Sequence, residues 1–306
     1  SGMRDAQPEV LAHHYTEAGE FDHAVPYWIL AGKRAAASLA HVEALRHFET
    51  ALDLLRQRPP SAGRHATELD LRVAMGAVLV TIKGYASTEV ERNYVRASEL
   101  CAITPDPRCE GSVLRGQTQL LLLRARYSEA NAQAELLLAL GERQGDIAQQ
   151  VDGNMMLGLI AIYQGAFEAG AQRLRGAIKL LDRQGHRRYG ASNGVDLGIG
   201  CLAYYARAMW FLGCPDQAKS QAAEATVLAE EPAVWLGAAQ GLAMRALLHH
   251  AEGDLDATLT YAERAASHAR QHGIPYWEAV CDILIGWVRA RRGDAQRGVE
   301  QIENGW

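Results

Sequence analysis

Cysteine is scarce in this 306-residue chain. The five residues Cys101, Cys109, Cys201, Cys214 and Cys281 are odd in number, and no CxxC occurs. A disulfide scaffold is therefore excluded as the organising device, and a reducing, cytoplasmic setting fits. Proline is also scarce at nine residues, so long helices meet few breakers. No apolar run approaches the roughly 20 residues that span a bilayer. The N-terminal SGMRDAQPEV has no apolar core, so no signal peptide is visible in it, and Ser1-Gly2 ahead of Met3 reads as a tag-cleavage scar. Catalytic signatures are missing as well. Gly32-Lys33 lacks the glycine loop of a nucleotide-binding P-loop, and no GxSxG, HExxH or GxGxxG occurs. No catalytic residues, cofactor or metal are expected. The net charge of −5 argues against nucleic acid as a partner.

What the chain has is alanine and a period. Alanine, at 52 residues, is abundant, and it favours helix and close helix–helix packing. Turn-type glycines stand at Gly165, Gly213, Gly253 and Gly293, with spacings of 48, 40 and 40. Ala125 holds the same place 40 residues before Gly165; Gly84 lies 41 before that, and Gly19 starts the series. Three small positions recur around these turns. Seven residues before stand Ala12, Thr118, Gly158, Ala206, Ala246 and Gly286; five after stand Ala24, Ala130, Gly170, Ala218, Thr258 and Gly298. Twelve after come Ala31, Leu137, Ala177, Ala225, Ala265 and Gly305. Glycine ends one helix by taking a left-handed backbone, and small residues mark where two helix axes approach. Each helical pair leaves an apolar face that its neighbour must cover. The pattern predicts an all-α fold of fifteen helices, about seven to eight pairs, forming a right-handed superhelix continuous over residues 1–306.

The pattern resembles the tetratricopeptide repeat, most clearly in Leu157-Gly158, Gly165, Phe167, Leu174 and Ala177, and in Leu11-Ala12, Tyr15, Gly19, Phe21, Ala24, Trp28 and Ala31. The units run near 40 rather than 34 residues, and the closing proline is mostly missing. Four stretches, LAHHYTEAGEFDHAVPYWILAGKRA, ELDLRVAMGAVLVTIKGYASTEVERNYVRASELC, ARAMWFLGCPDQAKSQAAEA and HGIPYWEAVCDILIGWVRARRGDAQRGVEQIENGW, are similar to one bacterial family. These are the C-terminal repeat domains of large signalling ATPases, which often carry a class III adenylyl or guanylyl cyclase domain at the N-terminus. The resemblance implies that the chain is a fragment of a larger protein. It implies a non-catalytic interaction and regulatory module downstream of a nucleotide-binding switch. Its partner would be a protein, a peptide or the protein's own upstream domains. The alternative is a sensor domain that binds a small effector in the groove and relays occupancy to an ATPase or transcriptional output.

In tetratricopeptide repeats the first helix of each pair lines a groove. That register picks out Arg115, Gln119, Met155, Tyr163, Arg207, Trp210, Phe211, His250, Trp287 and Arg291. A stripe mixing Trp, Tyr, Arg and His suits an interaction surface, although Trp210, Phe211 and Trp287 are equally readable as packing between helices. The longer spacing marks an insertion near 185–196 with Arg187, Arg188 and Tyr189, a second candidate region. His268 and His272 have a metal-like spacing but close a helix before Gly273, which favours a capping role. Arg289, Arg291, Arg292 and Arg297 read as a solvated rim. Ile302 and Trp306 lack a following repeat, which predicts pairing with a second copy through the C-terminal end, or fraying.

Overall fold

The computed structural model describes residues 7–84, 87–181, 196–231 and 235–305, and its described residues form fifteen α-helices with no strand. The helices group into two compact units, Ser1–Ala125 and Arg126–Trp306.

The first unit holds α1 (Pro8–Glu17), α2 (Phe21–Ala37), α3 (His41–Arg56), α4 (Ala62–Lys83), α5 (Thr88–Ile103) and α6 (Pro107–Leu123). The second holds α7 (Tyr127–Gln144), α8 (Ile147–Tyr163), α9 (Phe167–Leu180), α10 (Leu197–Phe211), α11 (Pro215–Ala229), α12 (Trp235–Glu252), α13 (Leu255–Gln271), α14 (Pro275–Arg291) and α15 (Ala295–Asn304). The sequence pattern places the starts of the fourth and sixth helices near 65 and 110, and both begin three residues earlier. Helix α4 begins at Ala62 rather than 65 because the Ser61 hydroxyl caps it, accepting from the Arg64 N–H at 3.2 Å. Helix α6 begins at Pro107 rather than 110, since proline is pre-organised for a first helical turn.

All seven turn positions in the periodic series have positive φ, from 56° at Ala125 to 103° at Gly293. At Gly19, Gly165, Gly213, Gly253 and Gly293 the helices close in the same way. At Gly165, for example, the Ala166 N–H donates to the Ala161 carbonyl at 2.9 Å, the long bond of a Schellman cap. The structure adds turns that the glycine series misses, at Gly145, Gly273 and Leu39, the last with φ 62°. Leu39 also corrects the register of the first unit. Helix α2 packs on α3 across that turn and touches α4, and α4 touches α6. The row of first helices in this unit is therefore α2, α4, α6, and α1–α2 at Gly19 is not the first pair of the series.

The small positions lie where helices cross. Ala12, Ala24, Ala130, Ala218, Thr258 and Ala265 are fully buried. A side-chain carbon built on Gly158 would meet the Gly170 carbonyl oxygen at 3.1 Å, and one on Gly170 would meet the Gly158 oxygen at 2.9 Å. In the first unit the ring of Tyr94 on α5 occupies the space beside both Gly76 and Gly116, so that only glycine fits at either place. The same unit holds a buried ionic cluster. Glu68 accepts from Arg72 at 2.9 Å and from Arg96 at 3.1 Å. Burial pushes the Glu68 carboxyl up, but the two guanidinium hydrogen bonds outweigh it and hold it below the usual range.

Cysteine chemistry is muted. Burial pushes the thiols of Cys109 and Cys281 up to about 12 and that of fully buried Cys201 higher still. Cys101 is half-buried and also raised, first by burial, whereas Cys214 is exposed.

Candidate functional site

Within the second unit the first helices of successive pairs, α8, α10, α12 and α14, touch one another in turn. Their C-terminal halves carry a belt of aromatic and cationic side chains in two contacting groups. Tyr163 ends α8 and Phe211 ends α10, and both are exposed, at 41% and 51%. The half-buried Arg207 guanidinium lies 5.6 Å from the Tyr163 ring centre and 5.9 Å from that of Phe211. Phe211 in turn stacks on Phe167 at 4.6 Å. Further along, His250 sits edge-on to Trp287 at 4.2 Å, and the Arg291 guanidinium lies 5.9 Å from the same indole. Burial holds the His250 imidazole below its ordinary pKa, so it is neutral near pH 7.

Arg207 has no hydrogen-bond or ion-pair partner among the described residues; its contacts are the two rings. Five other arginines of the second unit hold ion pairs among the described residues: Arg126 with Glu129, Arg264 with Glu230, Arg270 with Glu278 and Asp282, Arg292 with Asp256, and Arg297 with Asp294.

Behind the belt lies a cavity of about 260 Å³ between α10, α11 and α12. It exists because the side chains that meet there are small. Ala203 and Ala206 come from α10, Ala222 and Ala225 from α11, and Gly241 from α12. Met244, Leu247 and Leu248 complete the apolar wall, while Arg207, Trp210, Phe211, Arg245 and His250 supply its polar and aromatic edge. No aspartate or glutamate lines it. Arg245 is fixed: it donates to the His249 ring at 3.1 Å and to the Lys219 carbonyl at 3.0 Å, and His249 contacts Glu252 at 2.9 Å.

Of the groove residues expected from the repeat register, Tyr163, Arg207, Trp210, Phe211, His250, Trp287 and Arg291 take part in this belt or line the cavity. Met155 does not: it is 3% exposed, and its sulfur fills the space that a side chain on Gly200 would need. It is core because the wide apolar face of α8 buries that position. Arg115 and Gln119 stand half-buried on α6 of the first unit. Arg187, Arg188, Tyr189 and Trp306 lie outside the described residues. Met244 and Arg245 have no place in the repeat register and Phe167 has one only as a repeat position outside the groove, although Ala206 and Ala225, two of the recurring small positions, mark the cavity wall.

The metal question has a local answer. His268 and His272 sit with ring centres 4.4 Å apart. Among the described residues one group of three ligand-type side chains clusters within 4.8 Å: Asp70, Asp106 and Cys109, in the first unit. There the Cys109 thiol donates to Asp70 at 3.3 Å. Burial and that bond keep it protonated, the reverse of a metal-ready thiolate. No described helix is long and apolar enough to cross a membrane.

No family model matches the chain. It is similar to an uncharacterised protein of Rhizobium meliloti (strain 1021), 24% identical over 312 residues that cover 96% of this chain and 29% of that protein. The chain spans less than a third of that relative's length. Among solved structures it is similar to the Rap conjugation gene regulator of plasmid pLS20 in complex with a peptide, at TM-score 0.67 and 13% identity, covering 94% of this chain and 74% of that one. It is similar to the apo form of RapI at TM-score 0.63 and 11% identity, covering 91% and 95%. It is similar to a Signal Transduction ATPase with Numerous Domains, with a tetratricopeptide repeat sensor, from Pyrococcus horikoshii, at TM-score 0.51 and 16% identity, covering 99% and 45%. These likenesses establish the fold, an all-α array of the tetratricopeptide type.

Proposed function

We propose that the chain is a non-catalytic, peptide- or protein-binding regulatory module whose ligand lies along the belt of the second unit. The observation that carries this reading is Arg207. A cation held over two exposed rings, with no ion-pair partner among the described residues, is a preformed seat for an acidic group flanked by apolar ones. The pLS20 regulator, which shares the fold, is solved with a peptide bound. The Pyrococcus horikoshii protein is a signal transduction ATPase with such a repeat as its sensor. The chain matches only 29% of its Rhizobium meliloti relative. Together these support a place within a larger signalling protein, which in this reading is a bacterial ATPase or cyclase. The test is capture of partners with the wild-type chain and with Arg207→Ala and Tyr163→Ala. A partner that is lost on both variants while their melting temperatures hold supports the reading; a partner retained on both contradicts it.

A second reading rests on the cavity. A concave, largely apolar space beside the belt, partly open to solvent, is a feature expected of a small-effector sensor.

A further inference from the structure

The cavity between α10, α11 and α12 has one charge character. Its walls are alanine, glycine, methionine and leucine, and its edge is cationic or neutral-polar, with no acid. Two donors at that edge are free among the described residues: the Arg207 guanidinium and the Trp210 indole N–H, neither of which has a hydrogen-bond acceptor. A half-buried guanidinium without a counter-ion bears a desolvation cost that an anion would offset. The rings of Tyr163 and Phe211 hold it in place, so little side-chain entropy remains to be lost on binding. We infer that this cavity is a binding site for a small amphiphilic carboxylic acid, its apolar tail inside and its carboxylate on Arg207.

Size narrows the class. A dry apolar cavity of about 150 Å³ accommodates benzene, with its six carbons. On that scale 260 Å³ takes about ten non-hydrogen atoms. This is short of the roughly 300–1,000 Å³ of sites for drug-sized ligands, so nucleotides and polycyclic effectors are too large. A medium-chain alkanoate or a small arylalkanoate fits. Phosphate esters match less well, because Arg245, the other guanidinium at the edge, is already held on the His249 ring and the Lys219 carbonyl, which leaves Arg207 to meet a dianion. The inference rests on the effector reading and names the ligand class of that site. The same chemistry, an apolar group ending in a carboxylate, also occurs at the end of a peptide, and the experiment separates the two sources.

The test is isothermal titration of the chain with octanoate, 1-octanol and octylamine, with the acid series from butanoate to hexadecanoate alongside. Octanoate should bind saturably at one site, ten- to a hundred-fold tighter than octanol, as for a hydrogen bond to a charged group, and octylamine should not bind. Affinity should rise to octanoate or decanoate and fall by hexadecanoate. Arg207→Gln should bring octanoate down to the level of octanol without changing octanol itself. Ala222→Leu, which fills the cavity, should remove both; if that variant does not fold, the chain-length cut-off reports the volume limit on the wild type. N-acetyl-leucine binding tighter than octanoate would identify a peptide end as the source, and weaker binding a free acid. Octanol binding as well as octanoate would overturn the inference and leave the effector reading standing. Binding of neither would overturn both. Octanoate binding unchanged in Arg207→Gln, or in a folded Ala222→Leu, would overturn the assignment of the site.

Discussion

Gly286 on α14 and Gly298 on α15 face each other across a helix crossing with no room for a side chain on either. A carbon on Gly286 would come within 2.6 Å of the Gly298 carbonyl oxygen, and one on Gly298 within 2.7 Å of the Gly286 oxygen. In Gly286→Ala the gain in helix propensity, about 1 kcal/mol, is opposed by overpacking of about 1–3 kcal/mol against backbone that cannot yield. The variant should melt lower than wild type. Gly176 on α9 is the control, with open space around its position. Gly176→Ala should raise stability by about 0.5–1 kcal/mol. Thermal melts of the two variants should shift in opposite directions.

Ala125 and Gly165 occupy equivalent turns, with φ of 56° and 80°. Ala125→Gly and Gly165→Ala are the same exchange run in opposite senses. The first should stabilise and the second destabilise, each by about 1 kcal/mol, because a left-handed backbone penalises a side-chain carbon by that order. Chemical denaturation with an unchanged slope checks both.

Glu68 lies between Arg72 and Arg96 and is 5% exposed. Glu68→Ala should cost about 3–5 kcal/mol, because it leaves the buried Arg72 guanidinium without its anion. Glu99, which pairs with Arg96 at the surface, should cost under about 1 kcal/mol on the same change. Equal losses in the denaturation midpoint would contradict the distinction.

Burial depresses the imidazoles of His41 and His250, and burial followed by the neighbouring His268 depresses that of His272. An imidazole with a folded pKa below its unfolded value of about 6.5 takes up its proton more readily in the unfolded chain. The stability it contributes is present above that pH and is lost as pH falls through the folded value. The melting temperature should therefore drop between pH 7 and pH 5, and His250→Gln should flatten part of the slope.

Tyr163 and Arg207 differ from core residues in what their loss should do. Their replacement by alanine removes a cation–ring contact of about 0.5–1 kcal/mol at an exposed site. Partner affinity, by contrast, should fall at least tenfold, as for an interface anchor. Parallel measurement of melting and binding separates the two effects.

The helices and most of their turns are legible in the sequence because glycine in a left-handed turn and alanine at a crossing are both forced by sterics. Leu39 is not, since a leucine at positive φ carries no compositional signal and its turn shows only in the backbone. The belt is half legible. Tyr163, Arg207 and His250 follow from the register, but Met155 shares that register and is core, because its face is covered from all sides. The cavity is hidden for another reason. It is a deficit of volume summed over three helices, and no single alanine among Ala203, Ala222 and Ala225 announces it.

The muted thiol chemistry makes this chain selectively addressable. Three of its five sulfurs are buried and held protonated, and Cys101 is half-covered and raised, which leaves Cys214 in the open. That residue caps α11, three positions beyond Phe211. A maleimide dye added at neutral pH for a short time should attach there first, since reaction follows the accessible thiolate. The wild-type protein thus carries its own attachment point for a reporter, placed beside the aromatic belt, where an arriving ligand would alter the dye's surroundings and register as a change in emission.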